Sequence, residues 1–341
     1  MFKRFTIACA AVAILLIGAA TSESKAQTKK GLIDVIFSLD FIVLGRHAPW
    51  YVGLAKGYYK DEGLNVKIVP GRGTAQVIQA VESGIAQIGF VDVPGLVLGR
   101  SAGSTIKMVA VNYQKTPYAI FSLDPGASVT QPKDLEGLTV GSSAGSFLPN
   151  IHRAFMVMHG LDPSKLKIVN MEPSARIGML VRGKVPAIDF YIMTHPGIKR
   201  AAGKRAAVKS LLMSDHGLQL YSNGIGAKEA YIKANPEVMR KFVRAALRAW
   251  KFTMDNPAEA ADMQRKYVKG LNKQITLEEI EILRNLVVTP DTRKNGYGWF
   301  SPALMKKSRD FMVKHAKLPG SVPKAEDLYI TGFLPKIPIL P

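Results

Sequence analysis

"QAVESGIAQIGFVD" (79–92) and "GMLVRGKVPAIDFY" (178–191) are the two stretches whose reading decides the fold. Each runs from apolar residues at helical spacing to a glycine (Gly84, Gly183), and then to a short apolar strand with an aspartate at or near its end. A glycine after the last periodic residue is a helix stop. One such helix–strand unit is weak evidence; the same unit twice, about a hundred residues apart, predicts two similar α/β lobes in tandem.

Working outward, short strands alternate with helices on both sides of each stretch. Strands are expected at residues 32–37, 66–69, 86–91 and 106–112, with helices at 49–59, 74–83 and 94–101 between them. The plan repeats with strands at 138–141, 166–169 and 187–191 and helices at 147–159 and 174–181. This alternation predicts parallel sheets with helices on their faces. From residue 227 the pattern turns helical, over 227–234, 236–255, 258–266 and 277–287, and a Pro- and Gly-rich tail after Val288 is expected to wrap the surface. In open α/β sheets, ligands sit beyond the carboxyl ends of the strands. That rule selects the loops 40–50, 71–74, 92–94, 142–146, 170–174 and 189–195.

With 341 residues, 47% of them hydrophobic and 21% charged, the chain is globular and long enough for two cores. Lys3 and Arg4 precede an apolar run from Phe5 to Ala20, and Ser24-Lys25-Ala26 is a small-x-small site. These parts, in this order, predict a secretory signal peptide over 1–26, cleaved after Ala26, and hence a periplasmic address. The run has 16 residues, short of the ~20 a spanning helix needs. The single cysteine, Cys9, lies inside that segment, so the mature chain is expected to hold no thiol. The formal charge of +20 is spread in singles and pairs such as Lys199-Arg200, which reads as a solvated surface and predicts no nucleic-acid partner. The six histidines show no H-x-x-x-H spacing, so no metal is expected, and no cofactor.

The stretch "FSLDFIVLGRHAPWYVGLAKGYYKDEGLNVKIVPGRG" (37–73) resembles the solute-binding proteins of the nitrate/sulfonate/taurine and thiamine-pyrimidine-precursor type, and "ESGIAQIGFVD", "DLEGLTVG" and "VRGKVPAIDFY" continue the likeness. The resemblance implies a type II periplasmic-binding-protein fold: two hinged α/β lobes with a ligand cleft between them. It implies lobe 1 over 27–116, lobe 2 over 117–216, and a return to lobe 1 with the C-terminal helices over 217–341. It further implies a monomer without catalytic activity that captures a small solute by hinge closure and delivers it to an ABC permease in the inner membrane. The solute is a planar, pyrimidine-like heterocycle or a small organic anion such as a sulfonate.

Fourteen residues are candidates for the site. His47 resembles the family histidine of the first loop and either hydrogen-bonds a ligand or bonds its own helix start. Asp40 and Phe41 match an aspartate–aromatic pair whose ring would stack on a planar ligand; Phe stands where pyrimidine binders commonly have tryptophan. Trp50 faces the cleft or the core. Arg72, Gly73 and Thr74 join a strand to a helix start suited to an anion. Ser142, Ser143 and Ser146 sit at the matching place in lobe 2. Glu172, Asp189 and Asp92 are acids at strand ends, and Tyr191 is a second stacking wall.

Two enzyme readings compete. Gly141-Ser142-Ser143-Ala144-Gly145 fits G-x-S-x-G, which would make Ser143 the nucleophile of a secreted hydrolase, with Asp189 and His195 or His216 following in chain order. The same fold includes the suicidal pyrimidine synthase, with a pyridoxal-phosphate lysine, a donor histidine and a cysteine-rich iron motif. Here its lysine and histidine positions fall on Val91 and Gly95, and the expected mature chain has no cysteine.

Overall fold

The computed structural model describes residues 31–341; the expected signal segment and its cleavage site lie outside the described residues. Residues 32–341 form one compact unit. In chain order the first part holds β1 (Ile33–Ser38), α1 (Ala48–Ala55), α2 (Tyr58–Asp61), β2 (Leu64–Val69), α3 (Thr74–Glu82), β3 (Ile88–Asp92), α4 (Val93–Ser101) and β4 (Ile106–Val111). The middle holds β5 (Tyr118–Asp124), β6 (Thr139–Ser142), α5 (Leu148–Met158), β7 (Lys167–Asn170), α6 (Arg176–Val181), β8 (Ala187–Tyr191), α7 (His195–Ala202) and β9 (Ala207–Leu212). The last part holds β10 (Asn223–Lys228), α8 (Glu229–Ala234), α9 (Pro236–Asp255), α10 (Pro257–Tyr267), α11 (Lys273–Val287), α12 (Pro290–Asn295) and α13 (Pro302–His315).

Two five-stranded sheets result, in the orders β2-β1-β3-β10-β4 and β7-β6-β8-β5-β9. Each is mixed. β10 runs antiparallel between β3 and β4, and β5 runs antiparallel between β8 and β9. This corrects the expectation of parallel sheets. Parallel neighbours need a crossover of a dozen or more residues, usually a helix. β5 and β10 arrive instead from the other lobe, by segments without such a helix. The alternation pattern missed β5 and β10 for that reason, and it missed β9, which follows α7 within lobe 2; the strand β10 also occupies the first two residues of the helix expected from 227. The expected surface tail carries two further helices; α13 buries Met305 and Met312, and Ser308 of α13 accepts the Tyr221 N–H at 3.0 Å.

The lobe 1 core explains several local choices. α9 begins with Pro236 in its first turn and buries Phe242, Ala246 and Trp250 on one stripe, the helical period made visible. Onto it packs Trp50, fully buried, with its ring 4.5 Å from Phe37, 4.9 Å from Phe90 and 5.4 Å from Trp250. A side chain of that size at the bottom of the core stabilises by roughly 3 kcal/mol or more.

Residues 112–117 and 213–222 connect the sheets and are bonded to each other. Thr116 Oγ1 donates to the carbonyl of Leu220 at 3.0 Å and accepts its N–H at 2.8 Å. Ser222 N–H donates to the carbonyl of Tyr113 at 3.2 Å.

Candidate functional site: the interlobe cavity

A cavity with about 450 Å³ of space unfilled by protein atoms, partly open to solvent, lies between the two sheets. Lobe 1 lines it with Asp40, Phe41, Leu44, Arg46, Gly73 and Thr74. Lobe 2 adds Ser146, Phe147, Leu148, Arg176, Phe190, Tyr191 and Thr194.

Each lobe presents one arginine with an aspartate and a histidine behind it. In lobe 1 the chain leaves β1 at Ser38, and Asp40 stands in the loop that follows. A short 3-10 turn over Gly45–His47 then leads into α1. Arg46 Nη2 donates to Asp40 Oδ2 at 2.8 Å, and Nη1 to the Tyr113 hydroxyl at 3.2 Å. His47 Nδ1 accepts the Leu44 N–H at 3.0 Å, so the proton sits on Nε2, which meets Asp40 Oδ1 at 2.8 Å. Burial raises the Asp40 carboxyl, but the charge of Arg46 and the His47 hydrogen bond outweigh it and hold the group at about 2. Burial and the adjacent Arg46 charge push His47 down to about 4, so it is neutral at pH 7.

In lobe 2, Arg176 opens α6, Asp189 lies on β8 and His152 on α5. Arg176 Nη1 bonds the Asp189 carboxylate, and His152 Nε2 meets its other oxygen at 3.0 Å. Burial raises this carboxyl too; the His152 bond and the Arg176 charge overcome it and keep it low. Both arginines are therefore cationic, and each is neutralised by its own lobe's aspartate.

The lobes reach across to each other. Arg46 stands over the ring of Tyr191 at 4.8 Å. Arg176 lies 3.8 Å from the centroid of Phe190 and 5.3 Å from that of Phe41. Phe41 meets Phe190 edge-on at 6.0 Å. Gly73 adopts φ 135°, which side chains resist, and a Cβ there would sit 3.5 Å from the carbonyl of Gly145 in lobe 2. Such surroundings suit a planar ring. Aromatic faces and guanidinium planes stack on it, and N–H groups meet acceptors on its edge.

Of the fourteen candidates, the structure brings Asp40, Phe41, Gly73, Thr74, Ser146 and Tyr191 to this cavity. The Ser146 Oγ also accepts the Leu148 N–H at 3.2 Å, just before α5. The other eight lie elsewhere. His47 does not line the cavity, because both ring nitrogens are engaged by Leu44 and Asp40. Trp50 belongs to the core. Asp189 is wholly buried behind Arg176. Ser142 is buried beneath the loop. Arg72, Ser143 and Glu172 line a separate outer groove with Asn170; Arg72 and Glu172 are exposed there. Asp92 is wholly buried at the junction of the lobes. Sequence reasoning missed Arg46 and Arg176. Arg46 sat in plain view between Gly45 and His47; Arg176 offered only the signal of a lone base at the start of an otherwise apolar helix.

The serine-hydrolase geometry is not assembled. The Ser143 hydroxyl has no hydrogen-bond partner among the described residues. Asp189 is committed to His152 and Arg176, and the His195 ring packs against Phe121 at 6.1 Å. Among the described residues no cluster of three or more His, Cys, Asp or Glu side chains is placed to hold a metal ion, and no helix is long and apolar enough to cross a membrane.

The sequence model of the family described as "NMT1/THI5 like" matches residues 45–260. The chain belongs to that family. It is 28% identical to the riboflavin-binding protein RibY of Chloroflexus aurantiacus, over 93% of this chain and 90% of that one. It is 26% identical to the formylaminopyrimidine-binding protein of Halalkalibacterium halodurans, over 85% and 88%. The alkanesulfonate-binding protein SsuA from Xanthomonas axonopodis pv. citri superimposes with a TM-score of 0.71 at 13% identity, covering 89% of this chain and all of that one. The family member thus has the two-lobed periplasmic-binding-protein fold expected from its sequence.

Proposed function

We propose that this protein is the extracytoplasmic solute-binding component of an ABC importer and that its solute is a planar nitrogen heterocycle. The observation that carries the reading is the composition of the interlobe cavity. Both lobes wall it with aromatic rings, and each contributes one arginine already matched by an aspartate. Two paired cations leave little net positive charge to attract a bare anion, whereas their N–H groups and flat faces serve ring nitrogens and carbonyl oxygens. Riboflavin and a formylaminopyrimidine, named for the two relatives, are both planar nitrogen heterocycles. Arg72, the residue that favoured a sulfonate, stands outside the cavity.

Capture proceeds by closure: the ligand gains contacts from both walls only when the lobes meet, and so shifts the population toward the closed state. The protein acts as a monomer, hands the solute to an inner-membrane permease and performs no chemistry on it. The synthase reading finds no support in the residues present. Val91 is fully buried and has no amine. A Cβ on Gly95 would lie 2.6 Å from Thr74 Cγ2, so a histidine does not fit there.

A thermal-shift screen tests this. Riboflavin, aminopyrimidines, formylaminopyrimidine, taurine, an alkanesulfonate and nitrate form the panel. A ligand at a hundred times its Kd stabilises by about 2.7 kcal/mol. A heterocycle is expected to raise Tm; a shift with sulfonates and none with any ring overturns the ligand class.

A further inference from the structure

Asp92 ends β3, next to the two segments that join the lobes, and its side chain is wholly buried. Its Oδ2 receives three hydroxyls: Tyr118 at 2.7 Å, Ser222 at 2.6 Å and Tyr191 at 3.2 Å. Its Oδ1 accepts the Gly95 N–H of α4 at 3.2 Å. Tyr118 is the first residue of lobe 2's sheet after the outgoing connection. Ser222 is the last residue before β10 on the return. Tyr191 ends β8 and forms part of the cavity wall. One carboxyl oxygen of lobe 1 therefore gathers both interlobe connections and the wall of the opposite lobe. Among the described residues no cation bonds it; the charges of Arg46 and Asp40 act on Tyr191, its neighbour.

We propose that Asp92 is the hinge clamp of this protein, a positioning residue that holds Tyr191 against lobe 1 in the closed state and makes closure dependent on pH. The inference deepens the proposed function only in that Tyr191 belongs to the solute cavity; the clamp itself concerns the lobes. With no counter-cation, burial drives the carboxyl up to about 7, against the opposing pull of the Ser222 and Tyr118 hydroxyls. On opening, Tyr118 and Tyr191 are free to part from it and water enters, returning the group toward its ordinary 3.8. The closed state thus binds the extra proton between about pH 4 and 7. Closure is favoured on the acid side and weakens as pH rises to 7, by up to roughly tenfold in the closed-to-open ratio per pH unit.

The test needs no ligand. The only native cysteine is Cys9. A full chain carrying Cys9→Ser, Lys67→Cys and Lys167→Cys therefore takes one fluorophore on each lobe, at the exposed edge strands β2 and β7. Interlobe energy transfer is read from pH 5.5 to 8.5, with thermal unfolding in parallel. The expected result is a closed-to-open ratio that falls from pH 5.5 and levels off above the closed-state Asp92 midpoint near 7. Asp92→Asn should flatten the profile while leaving the chain folded. Ser222→Ala should move the midpoint upward, because the carboxylate loses a donor. A flat wild-type profile, a profile unchanged by Asp92→Asn, or a Tm loss in Asp92→Asn with the pH profile intact overturns the clamp. A failed ligand screen leaves this readout unaffected, so the two proposals fall separately.

Discussion

Lobe 1 brings Arg46 to the cavity with Asp40 and His47 behind it; lobe 2 brings Arg176 with Asp189 and His152 behind it. The chemistry is the same and the construction differs. The first triad comes from one loop, within eight consecutive residues. The second is gathered from α5, α6 and β8, with His152 and Asp189 standing 37 positions apart. The burial differs too: Asp40 is 4% exposed and lines the cavity, whereas Asp189 is fully buried. A triad built within a loop can sit at the cavity edge, within reach of water. The one assembled from three elements reaches the cavity through Arg176 alone, with Asp189 and His152 fully buried behind it.

The largest expected effect sharpens this contrast. Arg176→Ala leaves the fully buried Asp189 carboxylate with His152 as its remaining side-chain partner, and breaking a buried pair costs about 3–5 kcal/mol. Arg46→Ala leaves Asp40 at the cavity edge, 4% exposed and still bonded to His47, and its loss should be smaller by about 1 kcal/mol. Chemical denaturation of the two variants checks the order; equal losses would break the comparison.

Next come the walls. Phe41→Ala and Phe190→Ala each remove an aromatic face, and both should weaken the heterocycle that scores in the thermal screen by about 5- to 30-fold, on the order of 1–2 kcal/mol. Isothermal titration measures it. A loss from only one of the two would mean that the ligand is held by a single lobe.

The histidines give a pH test. His47 is held at about 4 against an ordinary 6.5, so the unfolded chain binds more protons in that interval. Stability should therefore rise with pH from about 4 to 6.5 and be lost as pH falls back through it. His47→Gln should remove that part of the acid limb of a Tm–pH curve. An unchanged limb would assign the acid sensitivity to other groups.

The smallest effects are expected in the outer groove. Arg72→Ala and Glu172→Ala alter exposed side chains away from the cavity and should each change stability by less than about 0.5 kcal/mol and leave ring binding within about twofold. A large affinity loss in either would move the site outward.

The same local-versus-distributed difference explains what was legible in the sequence. The helix–glycine–strand echo at 79–92 and 178–191 carried the two-lobe plan, because periodicity and a helix stop are short-range signals. Asp40 and Phe41 were legible for the same reason: they stand in one loop at the end of one strand. β5 and β10 were not, since their pairing depends on where the chain re-enters a sheet. Arg176 could be placed beside Asp189 only once α6 and β8 had packed. For His47 the sequence leaves a ligand contact and a bond to its own helix start equally open, and only the structure shows Leu44 and Asp40 taking both its nitrogens.

The most direct test of the central claim is a crystal structure of the protein with the heterocycle that scores in the screen. The account predicts the ring between Phe41, Phe190 and Tyr191, with polar edge atoms within hydrogen-bond distance of both Arg46 and Arg176. A ring seated in the outer groove by Arg72, Ser143 and Glu172, or touching one lobe only, would contradict it.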